Sequence, residues 1–142
     1  MDMLELLKSC RIIAIMRGIP YDHAEKAAAA LIQGGIRIME VTMNTERALD
    51  ILAMWRSKFG HQARIGAGTV LDVEMAEQAV QAGAQFLVSP NLDERVIEYG
   101  IQRGVEVWPG VLTPTEIVRA WKAGARAVKI FPMKSMGIEY LR

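Results

Sequence analysis

Residues 104–132 read GVEVWPGVLTPTEIVRAWKAGARAVKIFP. The stretch holds an apolar run at 105–111, a Thr113-Pro114-Thr115-Glu116 helix start, a glycine stop at Gly124 and a second apolar run at 125–132. Proline early in a first helical turn costs nothing, because its missing N–H has no intrahelical partner anyway. Strand, helix and strand joined this closely make a βαβ unit, whose two strands lie parallel.

The same punctuation recurs upstream. A helix, then glycine, then an apolar strand occurs at Gly35-Ile36, Gly83-Ala84, Gly104-Val105 and Gly124-Ala125. The last three glycines fall about 20 residues apart, which leaves little room for insertions. Strands are expected at 11–18, 36–43, 64–70, 84–90, 105–111 and 125–132. Helices are expected at 1–9, at 23–33 capped by Asp22, at 45–59, at 72–82 behind Asp72, at 93–103 and from Thr113 to Gly124. Residues 137–142 read as the beginning of a further outer helix. This is an α/β chain with a parallel sheet, either open and doubly wound or closed into a barrel. No glycine-rich dinucleotide fingerprint follows the first strand, and the regular short loops favour a (β/α)8 TIM barrel. About six of its eight βα units are present. Residues 1–142 are expected to form a single barrel domain, truncated at the C-terminal end, with the natural protein longer.

Composition narrows the function classes. The chain has 142 residues, 51% of them hydrophobic and 23% charged, with a formal net charge of +1. No Lys/Arg run with interleaved aromatics marks a nucleic-acid or anionic-membrane surface. Apolar runs such as 27–32 are too short to span a bilayer, and Asp2 and Glu5 are unlike a secretory signal. The single cysteine, Cys10, rules out an intramolecular disulfide framework and suits a reducing compartment, most simply the cytoplasm. His23 and His61 lie outside any metal-ligand spacing, and Ser89 has no partnered histidine, so neither zinc chemistry nor a serine triad is indicated. Arg47, Lys58, Lys122 and Arg126 read as solvated charges, and the methionines as core filler.

Chemistry concentrates at strand ends, which in a parallel barrel form the active-site face. Lys129 sits within the apolar run AVKIFP. A buried ammonium is costly unless paired or neutral, and the neutral amine is the nucleophile an imine requires. A strand-end lysine snorkelling to water is the other reading. Alternation places Ile13, Ile15 and Arg17 on one face, likewise Ile38, Glu40 and Thr42, then Ile65, Ala67 and Thr69, and Ala127, Lys129 and Phe131. If these faces point inward, a guanidinium, a carboxylate, a hydroxyl and an amine converge at the barrel mouth. Arg17 and Glu40 could equally form a structural ion pair at the rim.

Six ordered motifs then give a resemblance running from about Ile12 to the C-terminus: Ile15-Met16-Arg17-Gly18, Glu40-Val41-Thr42, Gly66-Ala67-Gly68-Thr69-Val70, Val88-Ser89-Pro90, Pro109-Gly110-Val111 and Lys129-Ile130-Phe131-Pro132. The sequence resembles the class I aldolases that cleave 2-keto-3-deoxy-6-phosphogluconate (KDPG) and 4-hydroxy-2-oxoglutarate (KHG). The resemblance implies that Lys129 forms the Schiff base and that Glu40 is the general acid/base. Arg17 and Thr69 would hold the pyruvate carboxylate, with Pro90 and Phe131 lining the pocket. It implies a 2-keto acid substrate, no metal or other cofactor, and a homo-oligomer, typically a trimer. Two features depart from the family pattern. The seventh and eighth units, whose loops hold the phosphate in phosphorylated-substrate members, lie beyond Arg142. Asn44 also stands where some members carry arginine. A phosphate-binding barrel without lyase activity, or an inactive subunit or binding module, are the competing functions.

Overall fold

Successive side chains of a strand point to opposite faces. Both faces are apolar in this chain, so both must be covered. The computed structural model describes residues 2–141. Five parallel strands lie side by side in chain order: β1 (Ala14–Met16), β2 (Ile38–Thr42), β3 (Arg64–Gly68), β4 (Phe86–Val88) and β5 (Glu106–Trp108). A second parallel pair, β6 (Gly110–Val111) and β7 (Lys129–Ile130), forms its own short ladder. A strand order without reversal has no topological switch point, which separates this fold from a doubly wound sheet. The sheet is nevertheless open.

One face carries Met39, Val41, Ile65, Ala67, Leu87 and Val107, and the helices cover it. They are α2 (Tyr21–Gln33), α3 (Ala48–Phe59), α4 (Val73–Gln81), α5 (Glu94–Arg103) and α6 (Pro114–Lys122). Fully buried Ala24, Ala28, Ala76 and Ala79 let the layers approach closely, and the Trp55 indole N–H donates to the Ala24 carbonyl at 2.9 Å. The other face carries Ile38, Phe86, Val88 and Trp108. Met3, Leu6, Leu7 and Cys10 of α1 (Met3–Cys10) close over it. No helix among the described residues is long and apolar enough to cross a membrane.

The plug helix α1 is anchored at its start. Asp2 and Glu5 make a reciprocal capping box, which satisfies backbone donors that have no partner within the helix. Arg126 donates to Asp2 Oδ1 at 3.1 Å and to Glu106 Oε1 at 2.8 Å. Glu106 also accepts from the Trp108 indole N–H at 3.2 Å. Arg126 is exposed, as a solvated charge is expected to be, and it also clasps α1 to β5.

Several boundaries differ from expectation, each for a local reason. The expected fifth strand changes partner at Pro109: β5 pairs with β4, and β6 pairs with β7. Proline has no N–H to continue a ladder, and the Pro109 carbonyl instead accepts from Lys129 N at 2.9 Å. The expected sixth strand shrinks to Lys129–Ile130, because the strand it pairs with among the described residues is two residues long. The first strand is a three-residue edge with Ile15 half exposed, rather than a buried run. Helix α2 starts at Tyr21, ahead of the expected Asp22 cap, and α3 starts at Ala48. In place of a further α-helix the chain makes a 3₁₀ turn, Ile138–Leu141. Met1 and Arg142, ends of expected helices, lie outside the described residues.

The clasp makes a measurable demand. Arg126→Ala should lower Tm and speed amide exchange in residues 3–10 more than in α2 to α5. Unchanged protection of α1 in hydrogen-exchange mass spectrometry would show that apolar contacts alone hold the plug.

Candidate active site

Every residue of β2 is buried, so its one acidic residue is forced inside. Glu40 is 1% exposed. It fits because β3 presents glycine opposite it: a Cβ on Gly68 would lie 2.2 Å from Glu40 Oε1. Gly66 does the same for Phe86, whose ring would meet a Cβ at 2.5 Å. Among the described residues Glu40 Oε2 has no hydrogen-bond partner. Burial is the main cause that lifts the Glu40 carboxyl from its ordinary 4.5 to about 7, against the opposing fields of Lys129 and Arg17.

Glu40 and Lys129 line one cavity of about 240 Å³, and its other walls are apolar: Leu7, Ile13, Ile15, Val88, Trp108 and Ala127 among them. An apolar cleft into which two titratable groups converge is the usual form of a small-molecule site. Lys129 is half-buried on the edge strand β7, less enclosed than an internal strand position implies, and its ammonium lies 5.1 Å over the Phe131 ring.

Arg17 leaves the end of β1 exposed and makes two contacts. Its terminal nitrogens donate to Asn44 Oδ1 at 3.1 Å and to Thr69 Oγ1 at 3.2 Å. Thr69 has φ +57°, a left-handed conformation that is costly for a β-branched residue. That turn corrects the expected facing of the third strand. Ile65 and Ala67 belong to the helix-covered core, and Gly66 and Gly68 face inward. Thr69 reaches Arg17 because its backbone breaks the alternation, not because it continues it. Pro90 packs by its backbone against Gly110, where a Cβ would come within 2.3 Å, while Phe131 is 44% exposed. The fold thus brings Glu40 to Lys129 and Arg17 to Thr69. Arg17, Thr69, Pro90 and Phe131 are absent from the cavity lining.

Sequence reading left Thr45 and Gly68 without a place in the site and noted Asn44 only as a departure from the family pattern. Buried Thr45 accepts from the Gly18 N–H at 3.0 Å and bonds to the Thr42 hydroxyl at 3.0 Å. The glycines of β3 were the available signal, since they permit close backbone approach.

The raised Glu40 value fixes a pH dependence. The folded chain holds this proton more tightly than the unfolded one, so the stabilisation is full below about 4.5 and is lost as pH rises through about 7. The effect is on the order of 3 kcal/mol. Urea midpoints should therefore fall between pH 5 and pH 8 in the parent and stay nearly level in Glu40→Gln. Equal pH slopes in the two would contradict the burial of this carboxyl.

The description "KDPG and KHG aldolase" belongs to a family model that matches residues 3–142. A 2-dehydro-3-deoxy-phosphogluconate aldolase of Treponema pallidum (strain Nichols) is 43% identical over 133 residues, which cover 94% of this chain and 63% of that protein. A 2-dehydro-3-deoxy-6-phosphogalactonate aldolase of Escherichia coli (strain K12) is 37% identical, covering 92% and 64%. The chain thus spans less than two thirds of the length of these curated relatives. Among solved structures, a Legionella pneumophila KDPG aldolase with pyruvate captured as a covalent carbinolamine intermediate superposes with a TM-score of 0.85. It is 31% identical, with 91% of this chain and 63% of that one covered. Family model and relatives agree along nearly the whole sequence: this chain belongs to the KDPG and KHG aldolase family.

Proposed function

We propose that this chain carries the imine-forming part of a pyruvate-dependent class I aldolase, cleaving a 2-keto-3-deoxy sugar acid, phosphorylated or not, or 4-hydroxy-2-oxoglutarate. The observation that carries the reading is a buried carboxyl titrating near neutrality in the same cavity as Lys129. The relative captured with covalent pyruvate supports it.

The chemistry follows from those groups. The neutral Lys129 amine adds to the C2 carbonyl of the keto acid; a C–N bond forms and the carbonyl oxygen takes up a proton. The acid form of Glu40 gives the carbinolamine hydroxyl a proton, water leaves, and an iminium and the Glu40 carboxylate remain. Glu40, as carboxylate, accepts the C4 hydroxyl proton directly or through one water as the C3–C4 bond breaks, and the electron pair enters the iminium to give an enamine. The aldehyde departs, C3 is protonated by the acid form of Glu40, and water hydrolyses the imine to release pyruvate. A group at about 7 can act in both directions near neutral pH. Arg17 and Thr69 are assigned to the substrate carboxylate, which a planar guanidinium binds through paired N–H groups. Pro90 and Phe131 are assigned to the rim beside the imine.

The finer architecture belongs to the same proposal. Residues 1–142 would be the first six units of a single eight-unit barrel, whose remaining strands would pair with the free edges of β1 and β7. The protein would work as a homo-oligomer, a trimer by resemblance, in the cytoplasm.

Borohydride reduction with pyruvate, followed by peptide mass mapping, tests the reading. The adduct should appear on the Lys129 peptide and be lost in Lys129→Ala. Glu40→Gln should keep the adduct while turnover falls by about 10² to 10⁴. An adduct on Lys134 would remove Lys129 as nucleophile. No adduct on a folded chain would favour the inactive-subunit alternative for these 142 residues.

A further inference from the structure

Four arginines of the surface are neutralised by carboxylates, and Arg17 is not one of them. Arg47 pairs with Asp50, Arg95 with Asp93, Arg119 with Glu94, and Arg126 with Asp2 and Glu106. Among the described residues no carboxylate lies within ion-pair distance of Arg17; its two partners are the neutral oxygens of Asn44 and Thr69. Each takes one N–H from a different terminal nitrogen, leaving a second N–H on both. A guanidinium held in this way has a fixed plane and an undiminished charge.

The holder is itself held. Asn44 lies in the turn after β2, where Thr45 N donates to the Thr42 carbonyl at 2.9 Å and the two hydroxyls bond at 3.0 Å. The Thr45 hydroxyl also accepts the N–H of Gly18 at 3.0 Å. One turn thus grips the end of β1 twice, by the backbone of Gly18 and by the side chain of Arg17. A carboxylate at position 44 would fit the same space and accept the same hydrogen bond, but would cancel the cation.

We propose that Asn44 is a positioning residue that presents Arg17 as an uncompensated cation to the carboxylate of the keto acid, and that its neutrality, beyond its hydrogen bond, sets the site's preference for anions. This rests on the reading of the ligand as a 2-keto acid.

Two variants and two ligands separate charge from shape. Asn44→Asp keeps the shape and the acceptor; Asn44→Ala removes the acceptor. Methyl pyruvate offers the same carbonyl as pyruvate without the anion. Half-saturating concentrations for borohydride-trapped adduct on Lys129 should rise for pyruvate about threefold to tenfold in N44A, the scale of one lost orienting hydrogen bond. They should rise further in N44D. For methyl pyruvate all three proteins should agree within about twofold. Position 44 is exposed on a turn, and N44D remains the deciding variant if N44A misfolds.

Parent-like pyruvate binding by N44D would overturn the proposal, as would equal losses for both ligands. If the parent forms no adduct, the imine reading fails separately. Saturation-transfer NMR on the pyruvate methyl protons, which needs no imine, then yields the same ranking and still decides the role of Asn44. Absence of pyruvate binding by either method overturns both.

Discussion

A carboxyl group buried on a central strand with one oxygen unpartnered is the constraint around which this molecule is arranged. Burying such a group without a hydrogen bond costs several kcal/mol in its charged form, and Glu40 meets that cost by holding its proton up to about pH 7. Its neighbours are chosen accordingly. Gly68 removes the Cβ that would occupy its position, the flanking strands pack it on both sides, and Lys129 and Arg17 moderate its charge from a distance. Apolar residues of the same volume would fold more easily there. A position that breaks the local rule for a buried strand, inside a cleft, is the first place to look for chemistry.

Much of the fold was legible because glycine follows each of the helices α2 to α6, and those signals are local. Strand length was not, because a strand is as long as its partner allows. The run at 125–132 looks uniform, yet only Lys129 and Ile130 meet a ladder, since β6 offers two residues after the break at Pro109. The site divides in the same way. Glu40 and Lys129 stand out as charges in apolar strands. Asn44 does not, because asparagine in a turn needs no explanation beyond the turn, and its bond to Arg17 spans 27 positions. Gly68 is defined only by what lies opposite it. The face assigned to Ile65 and Ala67 was wrong because it was counted in phase with Thr69, the residue whose left-handed backbone ends the alternation.

The clasp between Asp2 and Arg126 has a consequence in time as well as in space. These partners are 124 positions apart, so α1 is synthesised long before the residue that secures its first turn. Meanwhile Ile38, Phe86 and Val88 assemble an apolar surface for which the plug is the cover. Closing so long a loop costs only modestly more than closing a short one, but it comes late. Until Arg126 has left the ribosome, the nascent chain carries two matching greasy surfaces that are not yet fastened together, and contacts with other chains compete for both. The ion cluster of Asp2, Arg126 and Glu106 therefore sets when, during its own manufacture, this protein stops being sticky.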